Sequence, residues 1–374
     1  MKIRLLLREL EKTFLQYLLL PLAYELNRKK RVDNNLVILA DSKHDEIPFS
    51  LKAMHKELQK HNFKILNFCC DYSKLSLFEK LAKSISFMQY YAQAKYVFIC
   101  DYFLPVSSCN KKNETKVIQL WHASGLQKKF GYDAKDDLGS FLFVRPTKNF
   151  DLVSVSAECM RSIIAKNWRL PLENVQALGT SRSDLFFEEG YADKCRKKFY
   201  ELYPDALGKK VVLWAPSFRG NGSDAEICDL DGILKLKESL DEEFFFIIKL
   251  HPHLQYKYKI DNCDMNTEEL YAVTDILITD YSSVLYDYLL FGGNVIFYVP
   301  DYEEYIKTRG MYIDYREDFK YPVISKIECL KSNILKVRQI DEDTLIYYKK
   351  KYIDSNDGMA SIRIINYLSK KEKW

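Results

Sequence analysis

The stretch ILITDYSSVLYDYLLF at residues 276–291 predicts the unit from which the fold is built. Its first four residues form a short apolar run typical of a buried strand, and the residues after Ser283 are apolar with helical spacing. A strand followed directly by a helix is the repeating unit of a parallel β-sheet. Similar runs recur along the chain, which predicts an α/β fold. The other predicted strands are Leu36–Leu39, Lys64–Phe68, Tyr96–Cys100, Val117–Trp121, Leu152–Val155, Val211–Trp214, Phe245–Lys249 and Val295–Tyr298.

The strands fall into two series, and the chain of 374 residues is long enough for two domains. Between the series lies the charged, helical stretch Glu188–Lys210, which Pro204 and Gly208 interrupt. We therefore predict one domain over residues 1–187 and a second over 188–374, each a Rossmann-like α/β unit, with the two facing a cleft. The last stretch, Asp341–Leu368, predicts a C-terminal helical segment that packs back across both domains.

Composition excludes several classes of protein. The 56 basic and 52 acidic residues give a net charge of +4, too small an excess to indicate a nucleic-acid binder. The nine cysteines include no CxxC pair, which argues against a disulfide framework and against a zinc site. We predict neither a metal nor a cofactor.

The spacing of apolar residues in the N-terminal region predicts an amphipathic helix. Leu6, Leu10, Phe14 and Tyr17 recur at helical spacing, and the basic run Arg28–Arg31 follows shortly afterwards. Such a helix is suited to the surface of an anionic membrane, although a helix buried at a domain edge has the same pattern. The apolar part is too short to span a bilayer and lacks a signal-peptide cleavage site.

Three polar segments follow predicted strands, where ligands bind in open α/β sheets. The first is QLWHASG, residues 119–125, in which His122 is placed to act as a general base near neutral pH. The alternative is a structural histidine bonded to a loop carbonyl.

The second segment, KLHPH at residues 249–253, carries Lys249 and His251 on one side of an extended backbone. Together they are suited to hold a diphosphate and stabilise a leaving group. The alternatives are ordinary surface residues at a strand end, or a metal site, for which the two histidines lack a third ligand.

In the third segment, Ser282 and Ser283 precede a helix, where free backbone N–H groups favour phosphate. Simple N-capping would also explain one of the serines. Arg219 lies just beyond a predicted strand and Arg309 beside Gly310, and both are suited to contact anions, although either alone is more often a surface or ion-pair residue.

Taken in order, these segments resemble the CDP-glycerol glycerophosphotransferase family of teichoic-acid and capsule synthesis. A weaker match lies at Asp357–Arg363. The matching pieces are QLWHASGL (119–126), GTSRSDLF (179–186), WAPSFR (214–219), KLHPH (249–253), TDYSSVLYDY (279–288) and RGMYIDY (309–315).

The resemblance implies a GT-B-like fold and phosphoryl transfer by positioning and charge neutralisation. Glycerol phosphate or ribitol phosphate would pass from CDP-glycerol or CDP-ribitol to a prenyl-diphosphate-linked glycan at the cytoplasmic face of the membrane, with release of CMP. His122 would be the base for the acceptor, and His251 would assist the departing CMP. The implied donor phosphate-binding residues are Arg219, Lys249, Ser282, Ser283 and Arg309, with Asp280 supporting the loop.

The sequence departs from a common form of the family pattern at Ala123, where glycine is frequent, and at Ser181, where proline is frequent. Both positions lie on the expected acceptor side, so the acceptor is less well determined than the donor. One alternative is a nucleotide-sugar glycosyltransferase of the same architecture, with Glu303 or Glu304 meeting sugar hydroxyls. A non-enzymatic membrane-surface scaffold is the other alternative.

Overall fold

The computed structural model describes residues 10–134, 144–220, 225–250, 254, 257–258, 260, 263–337 and 339–372. The chain divides into two compact units. The first comprises Met1–Ala123, Phe130–Phe187 and Asp354–Trp374, and the second comprises Ser124–Lys129 and Glu188–Ile353. Each unit contains one parallel sheet, which confirms the predicted α/β class.

The first unit is built on a six-stranded parallel sheet with the strand order β2-β1-β3-β4-β5-β6. Its helices cover a core in which the carboxyl-terminal two-thirds of the first strand is fully buried. The strands are β1 (Asp33–Asp41), β2 (Lys64–Cys69), β3 (Ala94–Ile99), β4 (Lys116–Gln119), β5 (Leu152–Ser154) and β6 (Val175–Gln176). The helices are α1 (Leu20–Glu25), α2 (Phe49–Gln59), α3 (Leu77–Tyr91) and α4 (Glu158–Trp168).

The second unit is built on a five-stranded parallel sheet with the order β11-β10-β9-β7-β8. Its strands are β7 (Lys210–Ala215), β8 (Phe244–Ile248), β9 (Ile276–Thr279), β10 (Val295–Tyr298) and β11 (Val323–Ile324). Its described helices are α5 (Tyr191–Leu202), α6 (Leu230–Ser239), α7 (Thr267–Leu270), α8 (Val284–Tyr288), α9 (Tyr302–Thr308), α10 (Tyr315–Asp318), α11 (Ile327–Lys336) and α12 (Glu342–Tyr352). A thirteenth helix, α13 (Ala360–Glu372), returns to the first unit.

Every predicted strand overlaps a strand of the structure. Most of these runs are apolar segments that the two cores bury, whereas β2 is only partly buried. The sequence did not reveal β6 and β11. Each of them is only two residues long, so neither carries a recognisable period.

One division between the two units falls between Phe187 and Glu188, and two segments belong to a different unit from their neighbours in the chain. The first exchanged segment, Ser124–Lys129, packs into the second unit. There the Ser124 hydroxyl donates to Asp287 over 2.7 Å, and Gly125 at φ +64° lies directly against the ring of Tyr286. A Cβ on Gly125 would lie 2.4 Å from that ring, so both the conformation and the space require glycine.

The second exchanged segment is the C-terminal helix α13, which joins the first unit. Asp184 accepts hydrogen bonds from the backbone N–H groups of Ala360 and Ser361, at 2.9 and 2.7 Å. Thr180 donates its N–H to the Asn356 side chain over 2.8 Å. The start of this helix is therefore held by the GTSRSDLF segment, which explains why the two motifs occur together in one unit.

The N-terminal segment is helical from residue 10 of the described chain, passes through a π-helical turn, Leu15–Leu19, and continues into α1. One side packs on the first unit through Gln16, Leu20 and Tyr24, which are buried. The other side exposes six large apolar side chains, which we call the apolar stripe: Leu10, Phe14, Tyr17, Leu18, Leu22 and Leu26. The segment thus combines the packing of a domain-edge helix with the exposed face of a surface-binding helix.

Within the described ranges, no helix is at once long enough and apolar enough to cross a bilayer.

We expect Asp184→Ala to destabilise the first unit by about 1–3 kcal/mol, since two N–H groups of α13 would lose their acceptor. Thermal unfolding measures the change. Asp193→Ala is the matched control, because that carboxylate is exposed and pairs only with Arg196 of its own helix. Equal melting temperatures for the two variants would contradict the role of Asp184.

Candidate functional site

The site in the first unit lies where three neighbouring strands end. The strands β1, β3 and β4 run parallel and adjacent, so the residues after them meet at one edge of the sheet. Lys43 follows β1, Asp101 follows β3 and His122 follows β4. The structure thus brings the predicted base together with two charged side chains that sequence patterns did not single out.

The His122 ring is oriented by its backbone surroundings. Its Nδ1 lies 3.1 Å from the carbonyl oxygen of Cys100, which can only accept, so Nδ1 carries the proton in the neutral ring. Nε2 is then left with a free lone pair. The neighbouring Trp121 has φ +58°, a strained conformation for a bulky residue, and its ring lies 4.2 Å from the imidazole. About half of the side chain, 45%, is exposed.

The electrostatic surroundings keep His122 neutral. Burial of the ring against the protein is the largest effect and lowers the pKa of His122. The Asp101 carboxylate, 3.8 Å from Nδ1, raises that pKa in part, and the Lys43 ammonium lowers it. A lowered pKa leaves an unprotonated imidazole near neutral pH, which is the form that a general base requires.

Asp101 is shared between His122 and Lys43. The Lys43 ammonium forms a short ion pair with its Oδ2, and the Tyr102 N–H donates to its Oδ1 over 2.7 Å. Burial raises the pKa of Asp101, but His122 and Lys43 outweigh burial and lower it overall. The carboxylate is therefore ionised at neutral pH and already bonded to a cation, so its pull on a His122 proton is weakened.

His44, a second histidine at this edge, has a pKa that is shifted in the opposite direction. Asp41, the last residue of β1, is buried and accepts hydrogen bonds from the N–H of Lys43, from the N–H of His44 and from His44 Nδ1, at 2.8–2.9 Å. The bond from Asp41 is the largest cause and raises the pKa of His44. Two imidazoles whose pKa values shift apart are typical of sites that combine an acid with a base.

Arg182 ties the GTSRSDLF segment to the same place. Its guanidinium donates to the carbonyl oxygen of His122 and lies 5.4 Å from the Phe49 ring. Arg182 thus fixes the backbone that carries the imidazole. The segment DSKH at residues 41–44 was the missed signal, since it is a polar run directly after a predicted strand.

In the second unit, Arg219 lies at the centre of a partly buried charge cluster. Its Nη1 donates to Asp280 over 2.8 Å, and its Nε and Nη2 donate to Asp301 over 2.5 and 2.9 Å. Tyr281 and Tyr305 stack with ring centroids 3.6 Å apart, and the guanidinium lies over both rings. Burial alone would lower the pKa of Arg219, but the two carboxylates outweigh it and raise the pKa.

This cluster joins two predicted site residues and adds one that sequence reasoning missed. Arg219 and Asp280 follow the adjacent strands β7 and β9, as predicted, whereas Asp301 follows β10. Asp280 also accepts from the Ser217 N–H over 2.7 Å. The predicted support of the loop by Asp280 therefore has a direct geometric counterpart, and Arg219 is held by carboxylates on both sides.

Ser282 and Ser283 precede α8, as the sequence predicted. Ser283 is the N-cap residue, but its side chain makes no capping hydrogen bond, and both serines are half-buried. The Ser282 hydroxyl accepts only a long bond of 3.4 Å from the Val284 N–H. Simple N-capping therefore does not account for the Ser283 hydroxyl.

The remaining predicted residues have different outcomes. Lys249 follows β8, donates to the Cys263 carbonyl over 2.7 Å, and has a pKa lowered by burial. Arg309 ends α9 and is half-buried. His251 lies outside the described residues. The alternative sugar contacts Glu303 and Glu304 are exposed on α9.

Across the described ranges, His, Cys, Asp and Glu side chains form no group of three or more that could hold a metal ion.

Comparison with known proteins identifies the family. Residues 22–370 match the family model described as CDP-Glycerol:Poly(glycerophosphate) glycerophosphotransferase. The chain belongs to this glycerophosphotransferase family. The match spans nearly the whole chain and confirms the resemblance that the ordered motifs indicated.

The individual relatives that the chain matches are named for roles in teichoic-acid synthesis. The chain is 30% identical to the teichoic acid poly(ribitol-phosphate) polymerase of Bacillus spizizenii, over 92% of this chain and 58% of that protein. It is 27% identical to the teichoic acid ribitol-phosphate primase of the same organism, over 90% of this chain and 92% of that protein. The chain therefore spans a little more than half of the polymerase and nearly all of the primase.

The fold is shared with a solved enzyme. The structure of the wall teichoic acid polymerase TagF matches with a TM-score of 0.73 at 20% identity, covering 99% of this chain and 98% of that chain. At this identity the similarity concerns the fold.

We expect Lys43→Met and Asp101→Asn to move the pH dependence of catalysis in opposite directions. Lys43→Met removes a cation that lowers the pKa of His122 and frees Asp101, so the acid limb of kcat/KM should move to higher pH. Asp101→Asn removes the anion that raises this pKa, so the limb should move to lower pH. Each displacement should be about one pH unit.

Lys64→Met is the matched control, because Lys64 is exposed at the start of β2, away from the carboxyl edge. Its acid limb should coincide with that of the unmodified enzyme. Displacements of the two site variants in the same direction would contradict the shared role of Asp101.

Proposed function

We propose that this protein transfers glycerol phosphate or ribitol phosphate from a CDP-activated donor to a hydroxyl group of a membrane-linked cell-wall or capsule glycan, releasing CMP. Membership of the glycerophosphotransferase family supports the reaction class. The observation that carries the proposal is the imidazole of His122, whose Nδ1 proton is committed to the Cys100 carbonyl and whose Nε2 is free to accept a proton.

In the proposed reaction, Nε2 of His122 takes the proton of the acceptor hydroxyl as its oxygen attacks the phosphorus that carries the polyol. The bond between this phosphorus and the bridging oxygen breaks, and CMP leaves with the electron pair. The polyol phosphate is then joined to the acceptor through a phosphodiester. Phosphoryl transfer of this kind is accelerated by positioning and by neutralising charge, with no covalent enzyme intermediate required.

The donor is proposed to bind at the carboxyl edge of the second sheet. Ser282, Ser283, Lys249 and Arg309 would contact the diphosphate, and His251 would stabilise the departing CMP. The half-buried hydroxyls beside α8 and the partly desolvated Lys249 ammonium support this assignment. In-line transfer requires the acceptor bound beside His122 and the donor phosphate to meet in the reactive complex.

The Arg219 cluster has a distinct part in this proposal. With Asp280 and Asp301 bonded to three of its nitrogens, Arg219 carries less net charge toward a donor than a free arginine would. We propose that it contributes to phosphate binding mainly by fixing the segments after β7, β9 and β10. Removing the guanidinium would leave two carboxylates buried without a counter-charge.

The acceptor is proposed to be a prenyl-diphosphate-linked glycan, and the enzyme to be peripheral at the cytoplasmic face of the membrane. The apolar stripe supports this placement, because its six side chains are exposed on one side of the N-terminal helix. The basic run Arg28–Arg31 follows the stripe and is exposed, as suits an anionic surface.

The first test is acceptor-dependent release of CMP from CDP-glycerol and CDP-ribitol, with a prenyl-diphosphate disaccharide as acceptor. His122→Ala should lower kcat by about 10²–10⁴-fold, which is the usual contribution of a general base. His61→Ala is the control, since His61 is exposed and contacts Glu57 of the helix that precedes it. A folded His122→Ala enzyme with undiminished turnover would rule out the base assignment, and no CMP from either donor would rule out the reaction.

The membrane placement predicts that Phe14→Ser/Leu18→Ser weakens sedimentation with vesicles of phosphatidylcholine and phosphatidylglycerol. Burying each of these side chains in the interface contributes about 1.5–3 kcal/mol, so affinity should fall at least tenfold. Leu202→Ser/Leu207→Ser is the control, because both leucines are exposed on the second unit. Equal losses of vesicle affinity for the two double variants would show non-specific hydrophobic adsorption and contradict a membrane-binding face at the apolar stripe.

A further inference from the structure

A large cavity of about 620 Å³ lies in the first unit at the sheet edge opposite His122. Asn113, Asp151 and Asn174, which line it, stand shortly before β4, β5 and β6, whereas His122 stands after β4. Parallel strands place their starts at one edge and their ends at the other. The cavity is therefore separate from the site described above, and the proposed transfer reaction does not use it.

The lining of the cavity is strongly cationic. Lys111, Arg145, Lys148 and Arg169 contribute to it, against a single carboxylate, Asp151. Asp151 is already paired with Lys111 over 3.0 Å. Within the described residues, no carboxylate forms an ion pair with the other three cations. Three positive charges around one cavity favour an anionic ligand.

The polar groups of the cavity are held in place and are mainly donors. Lys148 donates to Asn110 over 2.8 Å, and the Arg169 guanidinium lies 4.0 Å from the centre of the Tyr132 ring. Trp168, which also lines the cavity, is buried, and its Nε1 has no hydrogen-bond acceptor among the described residues. The Nε1 atom itself is closed off by protein, so the cations are the groups that would meet an anionic ligand.

The cavity is joined to the N-terminal helix through one buried side chain. Gln16 accepts from the Arg145 N–H over 3.1 Å and donates to the Arg145 and Ser107 carbonyls over 3.2 and 3.1 Å. Phe14 and Leu18 of the apolar stripe flank Gln16 in the chain and are exposed. A cationic cavity beside an exposed apolar helix matches the two parts of an anionic lipid, its phosphate and its acyl chains.

We propose that this cavity binds the phosphate of an anionic phospholipid head group while the apolar stripe enters the adjoining acyl region. The inference rests on the proposed membrane placement and adds a defined head-group site to it. It predicts a preference for anionic lipid that comes from the cavity and exceeds what the exposed run Arg28–Arg31 provides.

The test compares the full chain with Arg145→Gln/Arg169→Gln on vesicles of phosphatidylcholine with and without phosphatidylglycerol. The double variant should bind the anionic vesicles about 30-fold more weakly, from the usual contribution of two basic residues near such a surface. Lys326→Gln/Lys336→Gln is the matched control, because it removes two exposed charges from the second unit. Its binding should equal that of the unmodified protein.

Calorimetric titration with monomeric short-chain phosphatidylglycerol separates the head-group site from membrane binding in general. The unmodified protein and the Phe14→Ser/Leu18→Ser variant should both retain a saturable site, and the arginine variant should lose it. Inorganic phosphate in the same titration should compete only weakly.

Three outcomes would overturn the inference. In the first, the arginine variant binds vesicles as well as the unmodified protein does, and only the stripe variant loses binding. This result would rule out the head-group site in the cavity and leave the membrane placement intact. Inorganic phosphate binding as tightly as the short-chain lipid would indicate a free-anion site. If the unmodified protein does not bind vesicles, both the head-group site and the membrane placement are ruled out. CMP release with a detergent-solubilised acceptor would still report the proposed reaction.

Discussion

The hydrogen bond from His122 Nδ1 to the Cys100 carbonyl is the interaction on which the proposed chemistry of this protein depends. It commits the only proton of the neutral ring to the backbone, so Nε2 remains available as a base. It exists because β3 and β4 are parallel neighbours, which brings the residues just beyond their ends together. The sequence left open a catalytic or a structural histidine, and the structure shows a bond to a loop carbonyl that orients Nε2, the nitrogen of the proposed base.

At the same edge of the sheet, the pKa values of His122 and His44 are shifted in opposite directions. Asp101 is bonded to Lys43, so its negative charge is partly satisfied before it reaches His122. Asp41 accepts a hydrogen bond directly from the His44 ring and from the backbone N–H groups of Lys43 and His44. The two histidines thus differ in pKa because burial is the largest effect on His122 and lowers its pKa, whereas the hydrogen bond to Asp41 is the largest effect on His44 and raises its pKa.

In the second unit, the main constraint is the pairing of charges that are partly withdrawn from solvent. Arg219, Asp280 and Asp301 stand after three strands of one sheet, and Tyr281 and Tyr305 stack beside the guanidinium. Asp280 is buried and the other two charges are partly buried, so their mutual pairing offsets the loss of hydration. Their mutual pairing fixes the loops of this edge and explains why Arg219 cannot be regarded as an isolated phosphate ligand.

The sequence by itself determined the α/β class, nearly every strand and the position of His122, Ser282 and Ser283 beside strand or helix ends. These properties depend on local apolar runs and on the polar residues that follow them, which are visible in one dimension. The order of motifs also indicated the family, which the match over residues 22–370 confirmed.

Only the tertiary structure decided which strands are neighbours, and therefore that Lys43 and Asp101 surround His122 and that Asp301 joins Arg219. It also decided that Ser124–Lys129 belongs to the second unit and α13 to the first. The physical reason is that these contacts join residues far apart in the chain, such as Asp184 with Ala360 and Lys43 with Asp101. No local pattern of hydrophobicity encodes such pairings, since they follow from the strand order of the folded sheet.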